Sequence, residues 1–282
     1  RQKIRNFSYL QLQVEIKMSW KKVVAITGCD SGLGKDFCLT LTFVFGTETD
    51  ASRALKNLTA HTHKLDVTNN SSIVEFKNYV NGIIKENPDC KLHAVVNNAG
   101  VMTIGEYEWL TPQIIENTID VNLLGAMRVT SAFLPELRRS ASSGLKPRII
   151  NVSSHCGLQP LPGFGPYSAS GFVIASNLLT TQLAHAKTMV DHLSEDQKEL
   201  YEKKIKTISS YLCSAASNAR YDSLKDENIV ETFMRALTDD HPKDIYKVES
   251  WRYKFYYNLM KLPLPQNLHS KLIKYFLNFP VV

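Results

Sequence analysis

A four-residue apolar run that feeds straight into a glycine-rich turn constrains this chain more than any other feature. Val23-Val24-Ala25-Ile26 is bounded by Lys21 and Lys22 on one side and by Thr27-Gly28-Cys29-Asp30-Ser31-Gly32-Leu33-Gly34 on the other. A short continuous apolar run predicts a strand buried on both faces, the situation inside a parallel sheet. Glycines placed directly after such a strand let the backbone turn tightly and come close to a ligand. A helix that starts there adds unpaired N–H groups and the positive end of its dipole. The turn therefore reads as a pyrophosphate cradle, with Thr27, Gly28, Ser31, Gly32, Leu33 and Gly34 as its residues. Glycine trios also occur in loops that bind nothing, so it is the position between strand and helix that gives this one weight.

Apolar runs recur at Ala94-Val95-Val96 and Ile149-Ile150-Asn151-Val152, each followed by small residues. The intervening segments have helical spacing. Ile73, Phe76, Val80, Ile83 and Ile84 recur at steps of three and four after the capping-type residues Asn70, Ser71 and Ser72, and Thr111 to Leu137 is long enough for two successive helices. This alternation predicts an α/β chain with a doubly wound parallel sheet. A chain of 282 residues, 44% hydrophobic, can bury one core. Residues 1–20 form a lead-in, 21–192 the sheet domain, and 193–282 a helical segment of the same domain, broken by Pro242, Pro263 and Pro265.

The net charge of +6 is spread along the sequence, and its densest cluster, Lys203, Lys204 and Lys206, is interleaved with Glu199 and Glu202. That is the pattern of a solvated helix face, so no nucleic-acid partner is expected. Cys29, Cys38, Cys90, Cys156 and Cys213 show neither CxxC spacing nor a nearby histidine pair. No metal and no disulfide framework are expected, and a reducing, intracellular compartment is the natural setting. No run of eighteen apolar residues spans a bilayer, although a start at Arg1 leaves an N-terminal anchor open. The aromatic stretch Trp251 to Tyr257, followed by Leu262-Pro263-Leu264-Pro265, reads first as a helix packed on the core. A surface that covers a greasy substrate or touches a membrane is the alternative.

An acidic residue about 20 positions past the first glycine would hydrogen-bond the adenine ribose of NAD. Glu48 lies at that distance, after Phe43-Val44-Phe45, and residues 29 to 31 offer no base for a 2′-phosphate. Both points favour NAD over NADP, while Glu48 reads equally well as a solvated loop residue.

Further motifs then fall in one order: Leu65-Asp66-Val67, Asn97-Asn98-Ala99-Gly100, Asp120-Val121-Asn122, Asn151-Val152-Ser153-Ser154 and Tyr167-Ser168-Ala169-Ser170. Singly, each has a plain structural reading as a turn or a packing residue. Together, over about 150 residues, they resemble the short-chain dehydrogenase/reductase family and its Rossmann-type fold. The resemblance implies NAD or NADP as cofactor, held by the glycine turn, by Asp66 and Val67 near the adenine, and by Asn98, Ala99 and Gly100. It also implies hydride transfer to or from a carbinol carbon, which requires a base beside the hydroxyl oxygen. By resemblance Tyr167 is that base, Ser154 holds the substrate oxygen and Asn122 holds a water of the proton relay. A tyrosine whose ordinary pKa is about 10 needs a neighbouring positive charge to work near neutrality. The family supplies it with a lysine four residues further along.

Here that position is Gly171, and Gly171-Phe172-Val173-Ile174 does not continue a helix. It resembles what the family places after its sixth strand. A parallel strand requires a crossover of a dozen or more residues, for which the chain leaves no room. The expectation is an internal deletion of roughly 25 to 30 residues, removing one helix and one strand, with a smaller loss between Gly34 and Phe43. The chain as written is then expected to be unstable or inactive.

The branch resembled holds retinol dehydrogenases, D-beta-hydroxybutyrate dehydrogenase and type 2 17-beta-hydroxysteroid dehydrogenase. It implies a small lipid-like alcohol or ketone as substrate, association with the endoplasmic reticulum or a mitochondrial membrane, and a homodimer. The rival readings are a dinucleotide-binding variant that has lost catalysis and an interaction protein that uses the shell as a scaffold.

Overall fold

The computed structural model describes residues 21–29, 32–40, 44–48, 61–158, 160–171, 182–218, 227–249 and 251–277. Five strands, β1 (Lys21–Ile26), β2 (Val44–Glu48), β3 (His61–Lys64), β4 (Cys90–Asn97) and β5 (Arg148–Asn151), form one sheet in the order β3-β2-β1-β4-β5. Every pair is parallel. The chain runs outward from β1 to β3, then crosses back to lay β4 against the free side of β1. Ligands of open α/β sheets bind at this reversal, beyond the carboxyl ends of the strands. The segments leaving β1 and β4 are therefore neighbours at the one place where a site is expected.

The apolar run of β1 behaves as its sequence predicts. Val23 to Ile26 are all buried, with Val24 and Ile26 facing one core and Val23 and Ala25 the other, as strand alternation requires. The first core takes Leu33, Phe37 and Cys38 from α1 (Gly32–Thr40), and the second takes Ile73, Phe76, Val80 and Ile83 from α2 (Asn70–Glu86). The cap of α2 is Asn69, whose side chain accepts from the amides of Ser71 and Ser72, so the helix begins within the capping-type residues rather than after them.

Residues 111–142 form one interrupted helix instead of two successive ones. Thr111 caps α3 (Pro112–Ile119) by accepting from the Ile114 amide at 3.2 Å, and Pro112 opens it. A π turn (Asp120–Gly125) then passes directly into α4 (Ala126–Ser142). Apolar periodicity cannot distinguish a π insertion from a break, because both shift the phase of the stripe. Phe133 of α4 meets Phe76 edge-on at 5.6 Å between ring centroids, which closes the second core.

The last strand corrects the expectation of burial on both faces. Along β5, Arg148 and Ile150 are half-buried, while Ile149 and Asn151 are exposed. Among the described residues no strand lies beyond β5. The helix that follows, α5 (Gly165–Ser170), has six residues and ends at Gly171 in the left-handed region, φ 70°. Residues 172–181, which take in all but the first residue of the Gly171–Ile174 run, lie outside the described residues.

The chain continues as α6 (Gln182–His192), α7 (Glu195–Asn218), α8 (Glu227–Thr238), α9 (Trp251–Met260) and α10 (Gln266–Leu277), with Pro242, Pro263 and Pro265 in the connections. Helix α8 packs on α1 through Phe233 stacked on Phe37, with 3.7 Å between centroids. Its last carbonyls are met by the sheet. A nitrogen of the buried His93, Nε2, lies 2.8 Å from the Leu237 oxygen, and Arg148 donates to the carbonyls of Ala236 and Asp239. These donors supply what the end of a helix otherwise leaves unsatisfied.

Candidate active site

The glycine turn and the turn after β4 are fastened into one unit. Thr27 Oγ1 accepts from the amides of Asn98 (3.0 Å) and Ala99 (2.9 Å), and Asn98 Nδ2 donates back to the carbonyls of Thr27 (3.0 Å) and Gly28 (2.9 Å). Gly28 has φ 70°, and a Cβ there would stand 2.7 Å from the Ala99 Cα. At Gly34 a Cβ would collide with the Gly28 carbonyl oxygen and come within 2.6 Å of Asn98 Nδ2. No other residue fits either position without opening the turn. The α1 N-terminus emerges directly from this glycine pair, and Leu33 anchors it in the core.

A pyrophosphate group fits what the described residues offer: two glycine positions that admit no side chain, backbone N–H groups and a helix N-terminus. Ser31 lies outside the described residues. Glu48 is the last residue of β2, opposite Lys64 of β3. Gly46, two residues before it, pairs with Ile26, the last residue of β1. The Asp66 carboxylate is exposed just past β3 and accepts from the Thr68 hydroxyl (2.7 Å) and amide (2.9 Å). Those two bonds, the hydroxyl's first, hold it below the ordinary carboxylate range. Val67 is buried against Gly125, where a Cβ would lie 2.7 Å from its Cγ2, so its side chain packs the π turn. Gly100 is half-buried beyond Ala99.

The catalytic candidates sit around the segment that follows. Asn122 lies inside the π turn and is fully buried. Its Oδ1 accepts from the Val101 amide (2.7 Å), and its Nδ2 donates to the Val101 carbonyl (2.9 Å) and to Ser170 Oγ (3.0 Å). Ser170 in turn donates to the Tyr167 carbonyl at 2.7 Å. The π turn thus aims one amide at two elements at once, a use of π insertions that recurs at functional sites. Ser154 caps a short turn (His155–Gly157) after β5, its Oγ accepting from the Cys156 amide at 3.2 Å. Burial pushes the neighbouring Cys156 thiol up, which keeps it protonated and unreactive.

The Tyr167 side chain is fully buried, in the same core cluster as Met102, Ile104, Cys156 and Phe164. The end of its helix is pinned by the loop after β5. Ser153 Oγ donates to the Gly171 carbonyl, and a Cβ at Gly157 would lie 2.9 Å from the Gly171 Cα. Gly171 therefore occupies the position expected for lysine with a backbone that has already left the helical path. Helix α6 lies over the segment after Gly100: Gln182 bonds both backbone groups of Ile104 (2.7 and 3.2 Å), and His185 Nδ1 lies 2.9 Å from Thr103 Oγ1. Burial pushes the His185 pKa down, so this imidazole is neutral.

The structure brings Asn122, Ser170 and the Tyr167 backbone together and fuses the two cradle turns. Ser170 and Ser153 were not among the expected site residues. A serine three residues after a helical tyrosine is a legible signal for the first, whereas the Ser153–Gly171 bond depends on the end of α5 and has none.

The model of the short chain dehydrogenase family matches residues 22–191. D-beta-hydroxybutyrate dehydrogenase, mitochondrial, of Rattus norvegicus is 27% identical over 273 residues, covering 80% of this chain and 78% of its own. Retinol dehydrogenase 7 of Mus musculus is 30% identical over 275 residues, covering 84% and 83%. The 17-beta-hydroxysteroid dehydrogenase type 6 of Bos taurus is 29% identical over 273 residues, covering 84% and 83%. The chain belongs to the short-chain dehydrogenase family, oxidoreductases that act on CH–OH groups with NAD(P).

Proposed function

We propose that this chain is an NAD-linked member of the family whose chemistry interconverts a secondary alcohol on a lipid-like molecule, such as a steroid or retinoid, and its ketone. The observation that carries the reading is the fused cradle, in which Thr27 and Asn98 hold open two glycine positions that admit no Cβ. When bound there, the dinucleotide supplies the hydride acceptor or donor. The chain's own part is to hold and orient. Gly28, Gly32 and Gly34 take the pyrophosphate, Ser31 and Leu33 lie in the same turn, and Glu48 at the end of β2 takes the ribose hydroxyls, which favours NAD over NADP. Asp66, with Val67 beside it, lies on the adenine side, and Asn98, Ala99 and Gly100 complete the cofactor site. Ser154 would hold the substrate oxygen, Tyr167 would take its proton and Asn122 would position the relay. The names of three relatives support a ketone-body, retinoid or steroid type of substrate. A substrate of that kind places the enzyme at a membrane surface, at the endoplasmic reticulum or in mitochondria, and a homodimer is consistent with it.

A second reading is favoured by α5. Its six residues, the left-handed Gly171 and the complete burial of Tyr167 support a chain that keeps dinucleotide binding and has lost turnover with the segment after Ser170. The open face of β5, where Ile149 is exposed, supports the loss of a covering element. Purified chain, titrated with NADH by fluorescence and assayed for NAD reduction on a panel of lipid-like secondary alcohols, separates the two. Binding with turnover supports the first reading and binding without turnover the second. Absence of binding refutes both.

A further inference from the structure

The turn that carries Ser154 is held from the far end of the chain. The segment between α8 and α9 is pinned by Tyr246, whose hydroxyl donates to Asp239 Oδ2 at 2.9 Å and accepts from the Lys243 amide at 3.1 Å. Shortly after it comes Glu249, whose Oε2 lies 3.2 Å from His155 Nε2. The glutamate side chain is 17% exposed and the histidine 24%, and among the described residues no hydrogen bond reaches that carboxylate oxygen. The imidazole is therefore the group that answers its charge, and a charge drawn this far out of water needs one. The same ring meets Tyr257 of α9, with 5.7 Å between centroids and 66° between planes. Tyr257 is held in turn by two ammonium groups, Lys261 Nζ at 4.1 Å and Lys247 Nζ at 5.5 Å from its ring centroid. Leu161, just past the turn, packs on the small core of Tyr256, Met260 and Ile273 that joins α9 to α10.

We propose that Glu249 and His155 are positioning residues for Ser154, through a contact that ties the C-terminal segment to the substrate side of the site. The turn is tight enough to transmit it. Ser154 Oγ accepts from the Cys156 amide (3.2 Å), the Ser154 carbonyl from the Gly157 amide (3.1 Å) and the His155 carbonyl from the Leu158 amide (2.9 Å). Each of these bonds spans or uses His155, so an imidazole released by Glu249 takes the Ser154 hydroxyl with it. On the other flank Ser153 donates to the Gly171 carbonyl, and there the turn answers to α5 instead. Glu249 and His155 act through Ser154: they hold its hydroxyl in place. That purpose rests on Ser154 as the holder of the substrate oxygen; the contact itself does not.

The test is hydrogen–deuterium exchange of the full chain, read on the peptide that holds the Cys156, Gly157 and Leu158 amides, in a double-mutant cycle of Glu249→Ala and His155→Ala. Each single variant is expected to speed exchange of these amides about tenfold, and the double variant to add nothing further, because either change alone breaks the contact. Glu249→Gln keeps the size of the side chain without its charge and is expected to speed exchange with the melting curve retained, which separates a lost contact from a lost fold. In NAD reduction the loss is expected in kcat/KM for the alcohol and not in the affinity for NADH, a split that general loosening of the chain does not give. Unchanged exchange in Glu249→Ala, single-variant effects that add in the double variant, or a matching fall in NADH affinity would overturn the proposal. In a parent chain without turnover the exchange cycle decides, and failure of the cycle leaves the oxidoreductase reading standing.

Discussion

Supplying a lysine at position 171 should not raise turnover, and the backbone at Gly171 says why. Had α5 continued, a residue four places after Tyr167 would lie about 6 Å further along the same helix face, within reach of the tyrosine and of a bound ribose. Instead Gly171 has φ 70°, and its carbonyl is held by Ser153. Nothing lies within 4 Å of a Cβ placed there, so Gly171→Lys meets no clash. It does meet the left-handed penalty, about 1–2 kcal/mol for a residue with a Cβ. That corresponds to a fall in melting temperature of several degrees at roughly 2–4 °C per kcal/mol. The side chain would also leave a backbone that no longer runs along the helix. Differential scanning calorimetry and NAD reduction with a lipid-like secondary alcohol should therefore show a less stable chain with no gain in turnover. A helix-and-strand segment of roughly 25–30 residues inserted between Ser170 and Gly171 should raise both. Appreciable turnover or a higher melting temperature in Gly171→Lys alone would show that one residue had been changed and that no segment was lost.

Three further outcomes follow from the packing. Asn122→Ala removes three hydrogen bonds of a buried amide and leaves both backbone groups of Val101 unmatched, which should cost about 2–4 kcal/mol in chemical denaturation. Phe233→Ala unstacks Phe37 and should cost about 3–5 kcal/mol, measured the same way. Burial holds the His93 pKa below the ordinary histidine value of about 6.5. The stability tied to its neutral form is therefore fully present above about 6.5 and is lost as pH falls through the lower folded value. Melting temperature should drop on acidification from neutrality, and His93→Gln should flatten that drop; an unchanged slope in the variant would reject His93 as its source.

Legibility in the sequence followed the range of the interactions. The burial of β1 was visible because each of four consecutive residues had to be apolar, and the cradle was visible because Gly28 and Gly34 admit no alternative. The C-terminal helices were bounded by Pro242, Pro263 and Pro265 for an equally local reason. The π turn was not legible, since the apolar stripe from Ile114 to Phe133 continues across it with a phase shift that a short repeat does not resolve. Nor was the exposed face of β5, because Ile149 is as apolar as a buried strand residue and its exposure depends on what the folded chain packs beyond β5. The clamp of His93 and Arg148 on the end of α8 joins residues nearly 90 or more positions apart, and the exposure of Trp251 depends on which side of α9 finds a core. In the site, Asn98 and Asn122 were recognised by their motifs, while the atoms they hold, the Gly28 carbonyl and the Ser170 hydroxyl, emerged only from the folded chain.

A chain of this family with the two turns fused at the β1/β4 reversal should bind a dinucleotide there. Titration of the purified chain with NADH, followed by energy transfer from protein to nicotinamide, tests it against Gly34→Val, whose side chain would fill the space between Gly28 and Asn98. Saturable binding by the parent chain and none by the variant is the expected result. Absence of binding by the parent chain, or equal binding by the two, would contradict it.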